Sequence, residues 1–225
     1  MKRFALALGA IAIAAASQAS TVTDSFDLGL KNTDLQNYTG SLDKFDASLG
    51  TLTGVSIQVR GGLQGTIHLT LGASQQATSN VRGVTTSFFD FGSSISSLDD
   101  LFAANSTNLT LSYNTGNIAM APNTSWDSGT LTNDQSVSYD LTSILADLVG
   151  TGTFDVGCSS LTGLNVLGGN GFAGGNQTTQ ASCGATITYT YDAAASTPPS
   201  VPEPGSLALI GLALAGLGFT ARRKS

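Results

Sequence analysis

Apolar and polar residues alternate along most of this chain. Val55, Ile57 and Val59 are separated by Ser56 and Gln58, and Arg60 follows. Ile67, Leu69 and Leu71 alternate with His68 and Thr70, and Leu109, Leu111 and Tyr113 with Thr110 and Ser112. Ile187, Tyr189 and Tyr191 alternate with Thr186, Thr188 and Thr190. Successive side chains of a strand point to opposite faces, so a period of two in β-branched and aromatic residues marks half-buried strands. Thr21–Leu28, Val84–Phe91, Ser136–Leu141 and Thr153–Val156 are further strand candidates. Gly- and Asn-rich turns separate these segments. Roughly eight or nine short strands are therefore predicted, folded as an all-β, sandwich or jelly-roll-like domain. One short helix is predicted over Ser143–Val149, with Thr142 or Asp140 as its cap and Gly150 as its stop. Asp99 and Asp100 are expected to cap a turn or helix around Leu98–Ala104.

The alternation fails at both ends. Lys2 and Arg3 precede an apolar run from Phe4 to about Ala16, and the small residues Ser17 and Ala19 follow. That order is a secretory signal peptide, residues 1–19, cut after Ala19. At the other end four of the five prolines, Pro198, Pro199, Pro202 and Pro204, stiffen a linker over 193–204. An apolar run from Leu207 to Ala221 follows, closed by Arg222, Arg223 and Lys224. At about 1.5 Å per residue this run spans roughly 22 Å, short of a hydrocarbon core of about 30 Å. The basic cluster is expected to hold its far end in the cytoplasm. Residues 205–225 thus read as a temporary hydrophobic anchor helix, and 20–192 as the ectodomain between the two signals.

Pro202-Glu203-Pro204, the apolar segment and the terminal basic cluster resemble, in order, the PEP-CTERM sorting signal. The resemblance implies processing near Pro202-Glu203-Pro204 by an exosortase, a membrane cysteine protease-transpeptidase. It further implies a Gram-negative bacterium that makes exopolysaccharide. The segment Leu42-Asp43-Lys44-Phe45-Asp46-Ala47-Ser48-Leu49-Gly50-Thr51-Leu52-Thr53 resembles the opening signature of the choice-of-anchor E domain. Ala47 stands where that family commonly has Pro. Asp140-Leu141-Thr142 and Gly150-Thr151-Gly152-Thr153 are similar to later parts of the family pattern. This second resemblance implies a β-rich surface domain and brings no catalytic residues. In physical terms Phe45 and Leu49 are expected to pack under the sheet edge, Gly50 to turn the chain and Leu52 to begin a strand.

Composition sharpens this picture. Only 11% of residues are charged and Ser plus Thr number 55. The net charge is −6 and the isoelectric point about 4.4, which leaves no basic footprint for nucleic acid. The cationic ends conceal a more acidic ectodomain: between Ser20 and Val201 stand 14 Asp and no Glu against two Lys and two Arg. Such a surface repels anionic polymers and favours divalent cations. Loop aspartates Asp24, Asp27, Asp99, Asp100, Asp127 and Asp134 are candidates for a structural calcium, which needs six to eight converging oxygens. The alternative is solvated surface carboxylates.

Cys158 and Cys183 are the only cysteines, and in an exported chain they read most simply as a disulfide enclosing a loop rich in Gly, Asn and Gln. Closing such a loop stabilises by roughly 3–4 kcal/mol. A catalytic cysteine paired with His68, the one histidine, is the sharper alternative, and no local motif supports it. Gly169-Asn170-Gly171-Phe172-Ala173-Gly174 matches GxGxxG without the strand, helix and acidic residue of a dinucleotide site. Gly168–Asn176 resembles one calcium-binding nonapeptide repeat, with Ala173 where Asp is needed. No GxSxG, HExxH or EF-hand loop is present. A small hydrolase working through paired aspartates is a further alternative. Trp126 is expected in a loop, either open for stacking on a sugar ring or packed on the sandwich rim. Thr186–Thr190 forms one short threonine ladder, a candidate ice- or polysaccharide-facing surface. Asn37, Asn105, Asn108, Asn123 and Asn176 head N-x-Ser/Thr sequons, which are mostly chance matches in a chain this rich in Ser and Thr and are otherwise candidates for exposed loops.

The function expected is that of an exported structural protein of the cell surface or exopolysaccharide matrix, without catalytic activity, catalytic residues or an obligatory cofactor. Its partners are the secretion machinery and exosortase, transiently the inner membrane, and then exopolysaccharide. The alternative is a carbohydrate- or ice-binding module using Trp126 or the Thr186–Thr190 face.

Overall fold

The computed structural model describes residues 19–74, 77–104 and 109–194. The signal peptide, the Pro-rich linker beyond residue 194 and the apolar tail lie outside the described residues. In chain order the strands are β1 (Ala19–Asp27), β2 (Lys31–Asn32), β3 (Tyr38–Asp43), β4 (Gly50–Leu71), β5 (Ser79–Ser93), β6 (Leu109–Asn114), β7 (Ile118–Met120), β8 (Thr124–Asp127), β9 (Leu131–Asp140), β10 (Thr153–Gly168) and β11 (Ala173–Ala193). Helix α1 (Ser96–Ala104) follows β5, and the short α2 (Leu145–Leu148) follows β9.

The strands form two antiparallel sheets. The first has the order β1-β11-β4-β9, with β2 extending the β1 edge and β8 the β9 edge. The second has the order β3-β10-β5-β6, with β7 beside β5. The chain crosses between the sheets six times, at β2–β3, β3–β4, β4–β5, β7–β8, β9–β10 and β10–β11, which is the order of a jelly roll with its two Greek keys. The all-β sandwich anticipated from the alternation is the fold found. The core is one cluster between the sheets, in which Ile57, Val59, Ile67, Leu69, Phe89, Leu111 and Ile187 are fully buried.

Four strands are far longer than the sequence suggests. Val55–Arg60 and Ile67–Leu71, read as two short strands, belong to the single strand β4. Gly65 between them is not a turn: a Cβ there would overlap the Thr178 carbonyl and the Tyr113 hydroxyl, so glycine permits close approach inside a continuous strand. β11 pairs with β4 from Ala173 opposite Leu71 to Ala193 opposite Gly50. The Gly-, Asn- and Gln-rich stretch before Cys183, expected as loop, is strand. Its inward positions are polar, and they are bonded: Thr85 Oγ1 donates to Gln177 Oε1 at 2.5 Å, and Thr33 and Thr179 hydroxyls lie 2.5 Å apart. β5 and β10 likewise run well past Val84–Phe91 and Thr153–Val156.

The predicted helix over Ser143–Val149 is a 3-10 turn, Thr142–Ile144, continued by α2. Asp140 Oδ1 accepts from Thr142 N at 2.8 Å and so orders the entry. Among the described residues the longest helix is α1, which absorbs Leu98–Ala104 and buries Leu98 and Phe102. In the Leu42–Thr53 segment Leu42 and Phe45 are buried, with Phe45 tilted against Tyr189 and Tyr191 at 5.7 and 5.2 Å between ring centroids. Leu49 departs from expectation: it is 41% exposed, on a 3-10 turn that Asp46 caps through Ser48 N.

Candidate functional site

Ala19 opens β1 and stands opposite Asp192, so the chain enters and leaves this domain at one corner of the first sheet. Ser20 pairs with Tyr191, and a cut after Ala19 leaves β1 intact from Ser20 onward. Pro202, Glu203, Pro204, Arg222, Arg223 and Lys224 lie outside the described residues, as do the sequons at Asn105 and Asn108.

Cys158 and Cys183 are bonded to each other, which removes both as nucleophiles. Cys158 is on β10 and Cys183 on β11, so the bond ties one sheet to the other through the core, with both residues nearly fully buried. His68 faces outward on β4, with its Nδ1 2.7 Å from Asp127 Oδ1 on β8. Asp127 is three-quarters exposed, and such a solvent-screened pair contributes little to stability.

The candidate calcium ligands are dispersed. Asp24 accepts from the backbone N–H groups of Ser25 and Asp43, at 2.8 and 2.7 Å. Asp27 accepts from Gly29 N and pairs with Arg60. The Gly29 amide, more than the Arg60 charge, holds its carboxyl below the usual range. Asp99 accepts from Ser93 N at 2.9 Å, while its helix neighbour Asp100 and the β9 residue Asp134 are exposed. Among the described residues no three of His, Cys, Asp and Glu converge to hold a metal ion. The GxGxxG stretch is the turn from β10 to β11, a 3-10 turn at Gly169–Gly171 followed by a strand where a dinucleotide site needs a helix.

Trp126 is not in an open loop. It lies on β8 opposite the buried Leu69 and packs its half-buried ring on the core, the rim position among the two expected. The threonine ladder, by contrast, is wider than one strand suggests. Thr21, Thr23 and Ser25 of β1 stand opposite Thr190, Thr188 and Thr186. On the other side Ser56 and Gln58 of β4 stand opposite Thr188 and Thr186, and Asp140 and Ser138 of β9 continue the rows. The outer face of the first sheet is thus a grid four strands wide of hydroxyl groups, with the amide of Gln58 and the carboxylate of Asp140 among them. Sequence reasoning missed Thr21 and Thr23 because a ladder read along one strand says nothing of its neighbour.

The second sheet carries a cleft of about 690 Å³ over β3, β10, β5 and α1. Asp90, Asp99 and Asp155 line it together with Asn37, Ser93 and Ser94. Asp155 accepts from Ser41 Oγ at 2.6 Å, so two of its three carboxylates are bonded to neighbouring donors and fixed in place. The arrangement can accept hydrogen bonds from a hydroxyl-rich or cationic ligand. Asp90 and Asp155 were not singled out from the sequence, where each is a lone aspartate between apolar neighbours, Phe89 and Phe91 in one case and Phe154 and Val156 in the other.

A family model described as the PEP-CTERM protein-sorting motif matches residues 200–224. That match covers the C-terminal end alone and supports an exported, exosortase-sorted surface protein, with membrane passage on the way. No curated protein matches the chain significantly. Among solved structures, one of the infectious bursal disease virus Gx strain is similar at 9% identity and TM-score 0.19, covering 79% of this chain and 37% of that one. One of desmodium yellow mottle tymovirus covers 84% of this chain and 98% of that one at 10% identity and TM-score 0.20. The parasporin-2 toxin of Bacillus thuringiensis, which recognizes cancer cells, covers 77% and 68% at 10% identity and TM-score 0.21. Scores this low carry nothing from those proteins to this chain.

Proposed function

We propose that this chain is a non-catalytic structural protein of the cell surface or the exopolysaccharide matrix. It is cut after Ala19, handed to an exosortase through Pro202-Glu203-Pro204 with Arg222, Arg223 and Lys224, and left outside the cell as a choice-of-anchor E type domain over residues 20–192. The sorting motif at residues 200–224 is the observation that carries this reading. The tying of both cysteines in a buried bond, which removes them as nucleophiles, is in keeping with it. The test compares the producing strain with one lacking its exosortase. The full chain is expected in the exopolysaccharide fraction of the first and uncut in the inner membrane of the second. Equal distribution in both strains would overturn the proposal.

A second reading is favoured by the cross-strand pairing of Thr21 and Thr23 with Thr190 and Thr188. The outer face of the first sheet would then bind a neutral polysaccharide or ice through its hydroxyl grid. A Thr23→Lys/Thr188→Lys double variant is expected to lower co-sedimentation with the producer's own insoluble polysaccharide at least fivefold, or to remove thermal hysteresis. Unchanged behaviour in both assays would discard this reading.

A further inference from the structure

The outer face of the second sheet carries side chains that a solvated surface does not need. Leu161 is 67% exposed, Phe88 45% and Leu167 41%. They stand on the adjacent strands β10 and β5 in three registered rows: Leu161 opposite Phe88, Asn165 opposite Val84 and Leu167 opposite Arg82. Between the first two rows Gly163 stands opposite Thr86, which stands opposite Ser112 of β6 on its other side, and a Cβ on Gly163 would meet nothing within 4 Å. An open, mostly apolar groove results, lined by Val84, Thr86, Phe88, Leu161, Gly163 and Asn165. Contiguous exposed apolar groups of this kind mark interaction surfaces.

The outward residues of β5 read Arg82, Val84, Thr86, Phe88, Asp90. Charge, apolar group, hydroxyl, apolar group and opposite charge are arranged symmetrically about Thr86. Arg82 forms no ion pair among the described residues, and neither does Asp90. We propose that this face is a homodimer interface, its occupant a second copy of the same chain. The two-fold axis lies in the interface and crosses the strands along the Gly163–Thr86–Ser112 row. It reverses β5 against its copy, which sets Arg82 opposite the partner's Asp90 and Phe88 opposite the partner's Val84, and sets Thr86 against the partner's Thr86. Such an isologous contact closes on itself and satisfies both charges twice. A parallel stacking would instead place Arg82 on Arg82 and Asp90 on Asp90.

The test uses the full chain extracted in detergent, whose two native cysteines are already bonded to each other. A Thr86→Cys variant is compared with Ser48→Cys, an exposed position on the far turn before β4, after mild oxidation or a short bismaleimide. Both carry the same apolar tail, so association through the tail raises both alike. Thr86→Cys is expected to give at least ten times more covalent dimer. Adding Arg82→Glu or Asp90→Arg singly is expected to remove that excess, and adding both to restore it, because exchanging the charges recreates the complementarity. The proposal is overturned if Thr86→Cys dimerises no better than Ser48→Cys, or if the double charge exchange stays as monomeric as the single ones. Restoration by the double exchange also shows that the single variants do not act through misfolding.

Discussion

Tyr189 joins the two sheets through one atom. Its hydroxyl donates to the Asp43 carbonyl at 2.6 Å, and only 2% of the residue is exposed. Burial, with smaller contributions from the charges of Asp24 and Asp43, pushes its phenol far above the usual tyrosine range. A pKa raised on folding means that the folded state holds the proton more tightly. The corresponding stability is fully present below the unfolded value of about 10 and is lost as pH rises beyond it. Urea titrations at pH 7 and at pH 10 to 11.5 should therefore show an alkaline decline. Tyr189→Phe should blunt that decline while costing about 1 kcal/mol at pH 7. Burial raises Tyr113 and Tyr139 as well, so a residual decline should persist in the variant. Gly40 on β3 gives a second test, because a Cβ there would overlap the body of the Phe26 ring from β1. Gly40→Ala should cost roughly 1–3 kcal/mol, read as a Tm lowered by about 2–12 °C. Tyr189 was legible as an inward residue from the alternation of its strand. Gly40 was not, since its neighbour arrives from residue 26 on the other sheet.

At the scale of the element, β10 and β11 depend on the bond between Cys158 and Cys183, which ties the second sheet to the first. A Cys158→Ala/Cys183→Ala variant should lose about 3 kcal/mol, measured as a lower urea midpoint at unchanged pH. The pairing of the cysteines was legible from their number and the export signal, whereas their placement across the sandwich was not. Periodicity marked β1, β5, β6, β9, β10 and β11 and, as two pieces, β4, but it missed the short strands β2, β3, β7 and β8 and understated the long ones. β11 alternates polar with polar before Cys183, and its inward Gln177 and Thr179 are held by hydrogen bonds rather than by apolar burial. β5 shows the same effect: Thr85 and Ser87 are buried, which turns Val84 and Phe88 outward. The adjacent Phe88 and Phe89 were a signal of that face, since two consecutive strand residues cannot both point into one core.

At the scale of the molecule, alternation assigns residues to an inside and an outside but does not say which sheet a strand joins. The jelly-roll order follows from the six crossings at β2–β3, β3–β4, β4–β5, β7–β8, β9–β10 and β10–β11. The faces that result, a hydroxyl grid on one sheet and an acidic cleft beside an apolar stripe on the other, are products of lateral pairing that no single strand contains. The ends of the chain are the reverse case. Their chemistry is written along the sequence as proline, carboxylate, apolar run and basic cluster, and the match at residues 200–224 follows that order. The most direct test of the sorting proposal is the intact mass of the protein from each fraction of the producing culture. A mass that begins near Ser20 and ends near Pro202, with or without an added group, found outside the inner membrane, is the expected result. A mass retaining Leu207–Ser225, found only in the inner membrane, would contradict it and leave a plain tail-anchored domain.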